Sequence, residues 1–160
     1  PGLTANFDAA KSAALAYTLL DWRDHGTAYA KAMTDLARAL STELHKLGLP
    51  VFAADRGITT SHQFALEATA FGGGQAASKA LRKAGFLACG IGLPIPEIPG
   101  DMNGLRIGTP ELVRRGVTPA DTPAIAALIA EALRSNAPET VAPRTKALRA
   151  RFQDLRYVNA

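Results

Sequence analysis

Arg106 has the setting in this 160-residue chain best suited to chemistry: it stands in Gly104-Leu105-Arg106-Ile107-Gly108-Thr109-Pro110, followed by Glu111-Leu112-Val113-Arg114-Arg115-Gly116. Leu105 and Ile107 alternate with Arg106, so the run reads as a short strand with two apolar side chains on one face and a guanidinium on the other. Gly104 and Gly108 permit close backbone approach, Thr109 is expected to cap the next helix, and Pro110 suits its first position. A strand thus delivers one arginine to a fixed place. The guanidinium fork gives two parallel charge-assisted bonds to a planar carboxylate, which a lysine cannot copy. The same pattern is also met by an ordinary surface arginine on an edge strand.

The other reactive residue types are less well placed. His62 begins an alternating run and has no titratable partner nearby in sequence, so it reads as a structural residue rather than a base. Cys89, the single cysteine, excludes an internal disulfide framework, has no Cys or His at metal spacing, and is expected to be a small buried core residue. Gly72-Gly73-Gly74 lacks the Gly-Lys-Ser/Thr ending of a phosphate loop and the spacing of a dinucleotide loop, so it reads as the turn into a helix.

The elements that must position Arg106 follow from periodicity and punctuation. Asp8 is a candidate N-cap for an alanine-rich helix running towards Trp22, which Gly26 is expected to break. From about Thr27 to Lys46, Ala30, Met33, Leu36, Ala37, Leu40 and Leu44 form one apolar stripe, and Gly48 ends that helix. Leu49-Pro50-Val51-Phe52-Ala53 reads as a short strand, with Pro50 at its start or on an edge. His62–Thr69 alternates as a half-buried antiparallel strand. A helix over Gln75–Lys83 and a brief strand at Phe86–Cys89 come next. Gly90 to Gly100, with Pro94, Pro96 and Pro99, is a loop placed to wall a ligand pocket. Beyond the arginine strand, Ala120–Leu133 and Arg144–Leu155 read as helices. This order predicts an α+β fold: a small antiparallel sheet covered by helices on one side and preceded by a long helical arm.

Composition fits one folded domain, with a hydrophobic fraction of 48%. No apolar run approaches the roughly 20 residues of a membrane span, and no secretory pattern opens the chain, so the expectation is a cytoplasmic protein without membrane association. The net charge of +4 owes much to Arg144, Lys146, Arg149, Arg151 and Arg156. Without stacking aromatics or a reading motif, this excess reads as a solvated helix face and not a nucleic-acid surface. A start at Pro1-Gly2, in what reads as a loop, suggests a piece of a longer polypeptide.

The segment GLRIGTPELVRRG, from Gly104 to Gly116, resembles the carboxylate-arginine segment of serine hydroxymethyltransferases, pyridoxal-phosphate enzymes of the aspartate-aminotransferase fold. The order of elements from Ala9 onward resembles the last third of that family. The resemblance implies a loop and helical arm over 1–48, joined to a large domain outside this chain, and a small domain over 49–160 of a fold-type-I enzyme. It implies that Arg106 binds the α-carboxylate of an amino-acid substrate, and that the enzyme makes or breaks the Cα–Cβ bond of β-hydroxy-α-amino acids, in serine, threonine and glycine metabolism. The cofactor would be pyridoxal phosphate, with tetrahydrofolate left open, and the assembly a homodimer or a dimer of dimers. None of Lys11, Lys31, Lys46, Lys79, Lys83 or Lys146 sits in the family's threonine-rich His-Lys setting, so no catalytic residue is expected in this chain. Thr4-Ala5-Asn6 stands about where the family has a cofactor-phosphate loop. Cys89-Gly90-Ile91 replaces an asparagine-lysine-asparagine run whose second asparagine touches folate, and Ile91 offers a pterin no hydrogen bond. Unaltered folate-dependent serine–glycine exchange therefore competes with an α-methylserine hydroxymethyltransferase and with a folate-independent threonine aldolase or transaldolase. From another class comes a non-catalytic interaction domain that retains the fold.

Overall fold

The computed structural model describes residues 8–159; the Thr4-Ala5-Asn6 expectation lies outside them. Helix α1 spans Ala9–Lys46, and Asp8 Oδ1 accepts from the N–H of Ala10 at 3.0 Å. The expected break at Gly26 does not occur. A helical glycine costs only about 1 kcal/mol relative to alanine, and here the space of its missing side chain is taken by Trp22, whose Cε3 would lie 2.8 Å from a Cβ. The C-terminal half of α1 buries Met33, Leu36, Ala37, Leu40 and Leu44 of the predicted stripe, while Ala30 is exposed and its neighbour Tyr29 is buried instead. Gly48, at φ 76°, ends the helix as expected.

The strand expected over Leu49–Ala53 shrinks to one bridge, Val51 opposite Leu66. Pro50 has no N–H to give a ladder, and Ala53 turns the chain away in a left-handed conformation, φ 56°. Three strands form the sheet: β1 (Gln63–Glu67), β2 (Cys89–Ile91) and β3 (Gly104–Gly108), antiparallel in the order β1-β3-β2. β2 starts later than the Phe86–Cys89 reading. The preceding residues are bound to helix α2 (Gly74–Lys83) instead: the N–H of Phe86 donates to the Leu81 carbonyl at 2.9 Å, and Ser78 Oγ to that of Ala88 at 2.7 Å.

Helices α3 (Pro110–Arg114), α4 (Thr122–Arg134) and α5 (Ala142–Arg149) complete the described chain. The core forms where α1 and α2 meet the sheet face of Phe64, Leu66, Leu105 and Ile107 and where α4 packs against both helices. The last helix is shorter than the Arg144–Leu155 reading. After Ala150 the tail is held elsewhere: the N–H of Arg156 donates to the Arg114 carbonyl at 2.9 Å, Tyr157 stacks on Tyr29, and the N–H of Asn159 donates to Asp21 at 2.8 Å. The late basic residues are largely engaged, Arg144 with Glu131, Arg149 with the Phe152 carbonyl, Arg151 with Asp121 and Arg156 with Asp154.

The open face of the sheet as a candidate carboxylate site

Alternation along β3 buries Leu105 and Ile107 and leaves Arg106 exposed, as the sequence implies. What the sequence leaves open is the place of the strand. β3 is central rather than an edge, and Arg106 lies opposite Ala65 on β1 and Cys89 on β2. The guanidinium therefore rises from the middle of the face that the core does not use, between two small side chains. Cys89 is half-buried on this face, not a core residue as expected, because the shifted strand brings it into register with Arg106.

The Arg106 side chain has no hydrogen bond, ion pair or aromatic partner among the described residues, a state it shares there only with Arg82. Every other arginine meets a carboxylate (Arg23, Arg56, Arg115, Arg144, Arg151, Arg156), a main-chain carbonyl (Arg38, Arg134, Arg149) or the Tyr29 ring (Arg114). Arg82 lies on helix α2 away from the sheet face. An exposed, unpaired fork on a rigid central strand can take a planar anion without first breaking an internal pair.

The elements at its two ends are fixed by side chains that sequence reasoning missed or misread. Thr109 is fully buried and makes no side-chain cap, contrary to expectation. Its Oγ1 instead lies 2.8 Å from the Met33 carbonyl and 2.9 Å from that of His62, while its N–H donates to His62 at 3.0 Å, tying α1 and the start of β1 to the end of β3. His62 contributes through its main chain; its exposed ring has Ser61 Oγ at 3.3 Å. At the other end, Asn103 is 4% exposed and holds the proline loop. Its Oδ1 accepts from the N–H of Leu93 at 2.6 Å, and its Nδ2 donates to the carbonyls of Leu93, Ile95 and Pro96 at 3.0, 2.9 and 3.3 Å. A buried asparagine beside a strand glycine is the only sequence signal of this clamp.

Asp101 completes the frame. Its carboxylate accepts from the N–H groups of Gln75 and Ala76, at 2.8 and 3.0 Å, and so caps α2 from 26 residues away. The Gln75 N–H holds this carboxyl below its ordinary range, aided by Ala76, Met102 and the charge of Lys79 and opposed by some desolvation. The Gly72-Gly73-Gly74 triplet is thus a packing device. A Cβ on Gly73 would lie 2.4 Å from Asp101, and one on Gly74 2.0 Å from the Gly104 carbonyl. The anion-favouring helix start is already filled from within the chain.

No group of three or more His, Cys, Asp or Glu that could hold a metal occurs among the described residues, and no helix among them is long and apolar enough to cross a membrane. A hollow of about 320 Å³ lies on the opposite side of the sheet among Leu40, Leu81, Ile107, Ile129 and Phe152. Of the charged residues lining it, Glu111 and Arg115 pair with each other, so it offers a carboxylate little. The six lysines are all exposed and sit on α1, α2 and α5, none on the Arg106 face. With no amine facing Arg106 and the α2 start taken by Asp101, the described residues do not by themselves form a site for an aldehyde-phosphate cofactor such as pyridoxal phosphate. What they present to a ligand held from outside is one exposed guanidinium, that of Arg106.

No protein-family model matches the chain. Among curated proteins it is 60% identical over 158 residues to an α-methylserine aldolase of Variovorax paradoxus, and 56% identical over 159 residues to one of Ralstonia sp; each match covers 99% of this chain and 36% of the relative. A serine hydroxymethyltransferase of Methanopyrus kandleri is 35% identical over 160 residues, 98% of this chain and 37% of that protein. The chain thus spans little more than a third of the length of the curated relatives it matches. Among solved structures, L-threonine transaldolase from Pseudomonas fluorescens in the internal aldimine state superposes with a TM-score of 0.74 at 27% identity, over 89% of this chain and 32% of that one. The resemblance to serine hydroxymethyltransferases therefore runs along nearly the whole chain, and the fold, a helical arm with a small antiparallel sheet and helices, is shared with a solved enzyme that acts on an amino acid.

Proposed function

We propose that this chain is the C-terminal, small-domain portion of a pyridoxal-phosphate enzyme that makes or breaks the Cα–Cβ bond of β-hydroxy-α-amino acids, and that Arg106 binds the substrate carboxylate. The observation that carries this reading is the unpaired guanidinium on the central strand, between Ala65 and Cys89. The α-substituted serine class is favoured because the relatives at 54–60% identity carry the name α-methylserine aldolase. The cofactor and its lysine belong to the remainder of the polypeptide, where the ring supplies an electron sink for the bond that is cleaved. What this chain adds is orientation: two parallel N–H···O bonds to the carboxylate fix how the other substituents of Cα point. Residues 1–48 then form the loop and arm to the large domain and 49–160 the small domain, in a cytoplasmic homodimer or dimer of dimers.

The test is Arg106→Lys in the full-length, cofactor-loaded enzyme. Lysine keeps the charge and loses the fork, so a charge-assisted pair worth about 2–5 kcal/mol is forfeited. Glycine affinity, measured by calorimetry, should fall about thirty-fold or more, with cofactor content unchanged. Arg114→Lys and Arg115→Lys are controls, since those side chains face Tyr29 and Glu111. Parent-like glycine binding by Arg106→Lys, or equal harm in a control, would falsify the assignment.

A folate-dependent hydroxymethyltransferase is the second reading, favoured by the 35% relative. Against it stands Ile91, half-buried beside Gly104 on the same sheet face and without a polar atom for a pterin. Turnover of α-methylserine or serine without tetrahydrofolate separates the two, and a strict requirement for it would reverse their order.

A further inference from the structure

We infer that Leu93, locked in place by Asn103, is the apolar wall that sorts amino acids by their substituents at Cα once Arg106 has taken the carboxylate. This rests on the Arg106 reading above and goes beyond it. Cys89 and Ile91 share the face of Arg106 by their register on β2, and Leu93 follows two residues beyond the end of that strand. The packing brings it to that face: a Cβ on Gly104 would meet Leu93 Cδ1 and Cγ at 2.6 Å, so the leucine side chain fills the space above the residue two places before Arg106. Gly104 is therefore a vacancy shaped for Leu93, and the result is an apolar side of Ala65, Cys89, Ile91 and Leu93 beside one guanidinium, with Gln63 and Glu67 of β1 on the same face.

A proline loop would not hold such a wall unaided, because Pro94 and Pro96 remove the N–H groups that a continued ladder needs. Asn103 substitutes for the missing strand. Its carboxamide pairs with both the N–H and the carbonyl of Leu93, as an opposing backbone would, and then reaches the carbonyls of Ile95 and Pro96. These pairings also fix which way the amide points, since its oxygen faces a donor and its nitrogen faces acceptors. Asn103 lies three residues before Arg106 on the same segment, so wall and carboxylate anchor are set by one stretch of chain. Asn103 is accordingly a positioning residue, and Leu93 a specificity residue that meets the Cα substituent.

The experiment uses the full-length, cofactor-loaded enzyme and two probes without a β-hydroxyl, glycine and 2-methylalanine, which bind without Cα–Cβ cleavage. In Leu93→Ala, calorimetry should show 2-methylalanine affinity falling about tenfold while glycine stays within about threefold, the scale of a lost apolar contact in a site. Asn103→Ala should change the ratio in the same sense. It should also speed cleavage after Glu97, an exposed loop residue, by a glutamate-specific protease about tenfold, because local opening becomes easier. An unchanged ratio in Leu93→Ala overturns the wall. Unchanged cleavage and ratio in Asn103→Ala overturn the positioning role, and Asn103→Ser serves if the alanine variant does not fold. Equal losses for both probes would mean the arginine strand itself had moved, which also overturns the inference. Failure of the Arg106 reading appears separately, as parent-like glycine binding in Arg106→Lys.

Discussion

The two faces of one small sheet have opposite relations to the rest of the chain. The inner face, Phe64, Leu66, Leu105 and Ile107, is covered by α1 and α2, with α4 packed on those helices. The outer face sets Arg106 among Ala65, Cys89 and Ile91 and is bounded by Leu93. On β3 the two faces alternate residue by residue, so stability and binding are assigned to neighbours in sequence. Substitutions one position apart should therefore fail in different ways.

Leu105→Ala should have the largest effect on folding, about 2–5 kcal/mol of lost stability, because a fully buried leucine leaves a cavity between sheet and helices. Urea unfolding checks it, and a loss below about 1 kcal/mol would mean the inner face collapses around the gap. Arg106→Lys should do the reverse, lowering glycine affinity about thirty-fold or more with little change in the unfolding midpoint. If both variants lose stability alike, the division of labour between the faces is wrong.

Thr109→Val sharpens the comparison at the strand end. Valine keeps the shape and loses the hydroxyl, so its one proton is no longer shared with the carbonyls of Met33 and His62, at about 1–3 kcal/mol, while the Thr109 N–H bond to His62 remains. Because Thr109 joins α1 to the sheet, faster amide exchange should appear at the start of β1 and around Met33 rather than in α5. Uniform exchange across the chain would count against that tie.

The smallest expected effect is the pH response at Asp101. Its folded-state value is lowered, chiefly by the Gln75 N–H. Its contribution to stability is thus fully present above the ordinary carboxylate value, about 3.9, and is lost as pH falls through the lower folded value. Asp101→Asn should remove that dependence: the parent loses stability relative to the variant below about pH 4, and the gap is constant above it. A gap that persists unchanged into acid would show that another group titrates there.

Local rules sufficed wherever a residue's role depended on its immediate neighbours. The two-residue alternation of GLRIG directed Arg106 away from the core, the stripe from Met33 to Leu44 buried the second half of α1, Pro110 opened α3 at its first position, and the triple glycine proved to be a turn and not a phosphate loop. Elsewhere propensity met contacts that sequence spacing does not display. Gly26 reads as a breaker, yet the helix runs through it with Trp22 over the bare backbone. Thr109 reads as a cap, yet its hydroxyl bridges two distant segments. Leu49–Ala53 and Phe86–Cys89 are strand-like in composition, yet one is turned away at Ala53 and the other held to α2 by Ser78.

The site divides along the same line. That an arginine would be presented on a strand was set by the sequence, since side-chain direction in a strand is a local property with a period of two. That the strand is central, that Ala65 and Cys89 flank the guanidinium, and that Asn103 holds Leu93 beside it were decided only by the tertiary structure. Register and long-range hydrogen bonds join residues tens of positions apart, and neither composition nor spacing along one chain specifies which distant partner will arrive.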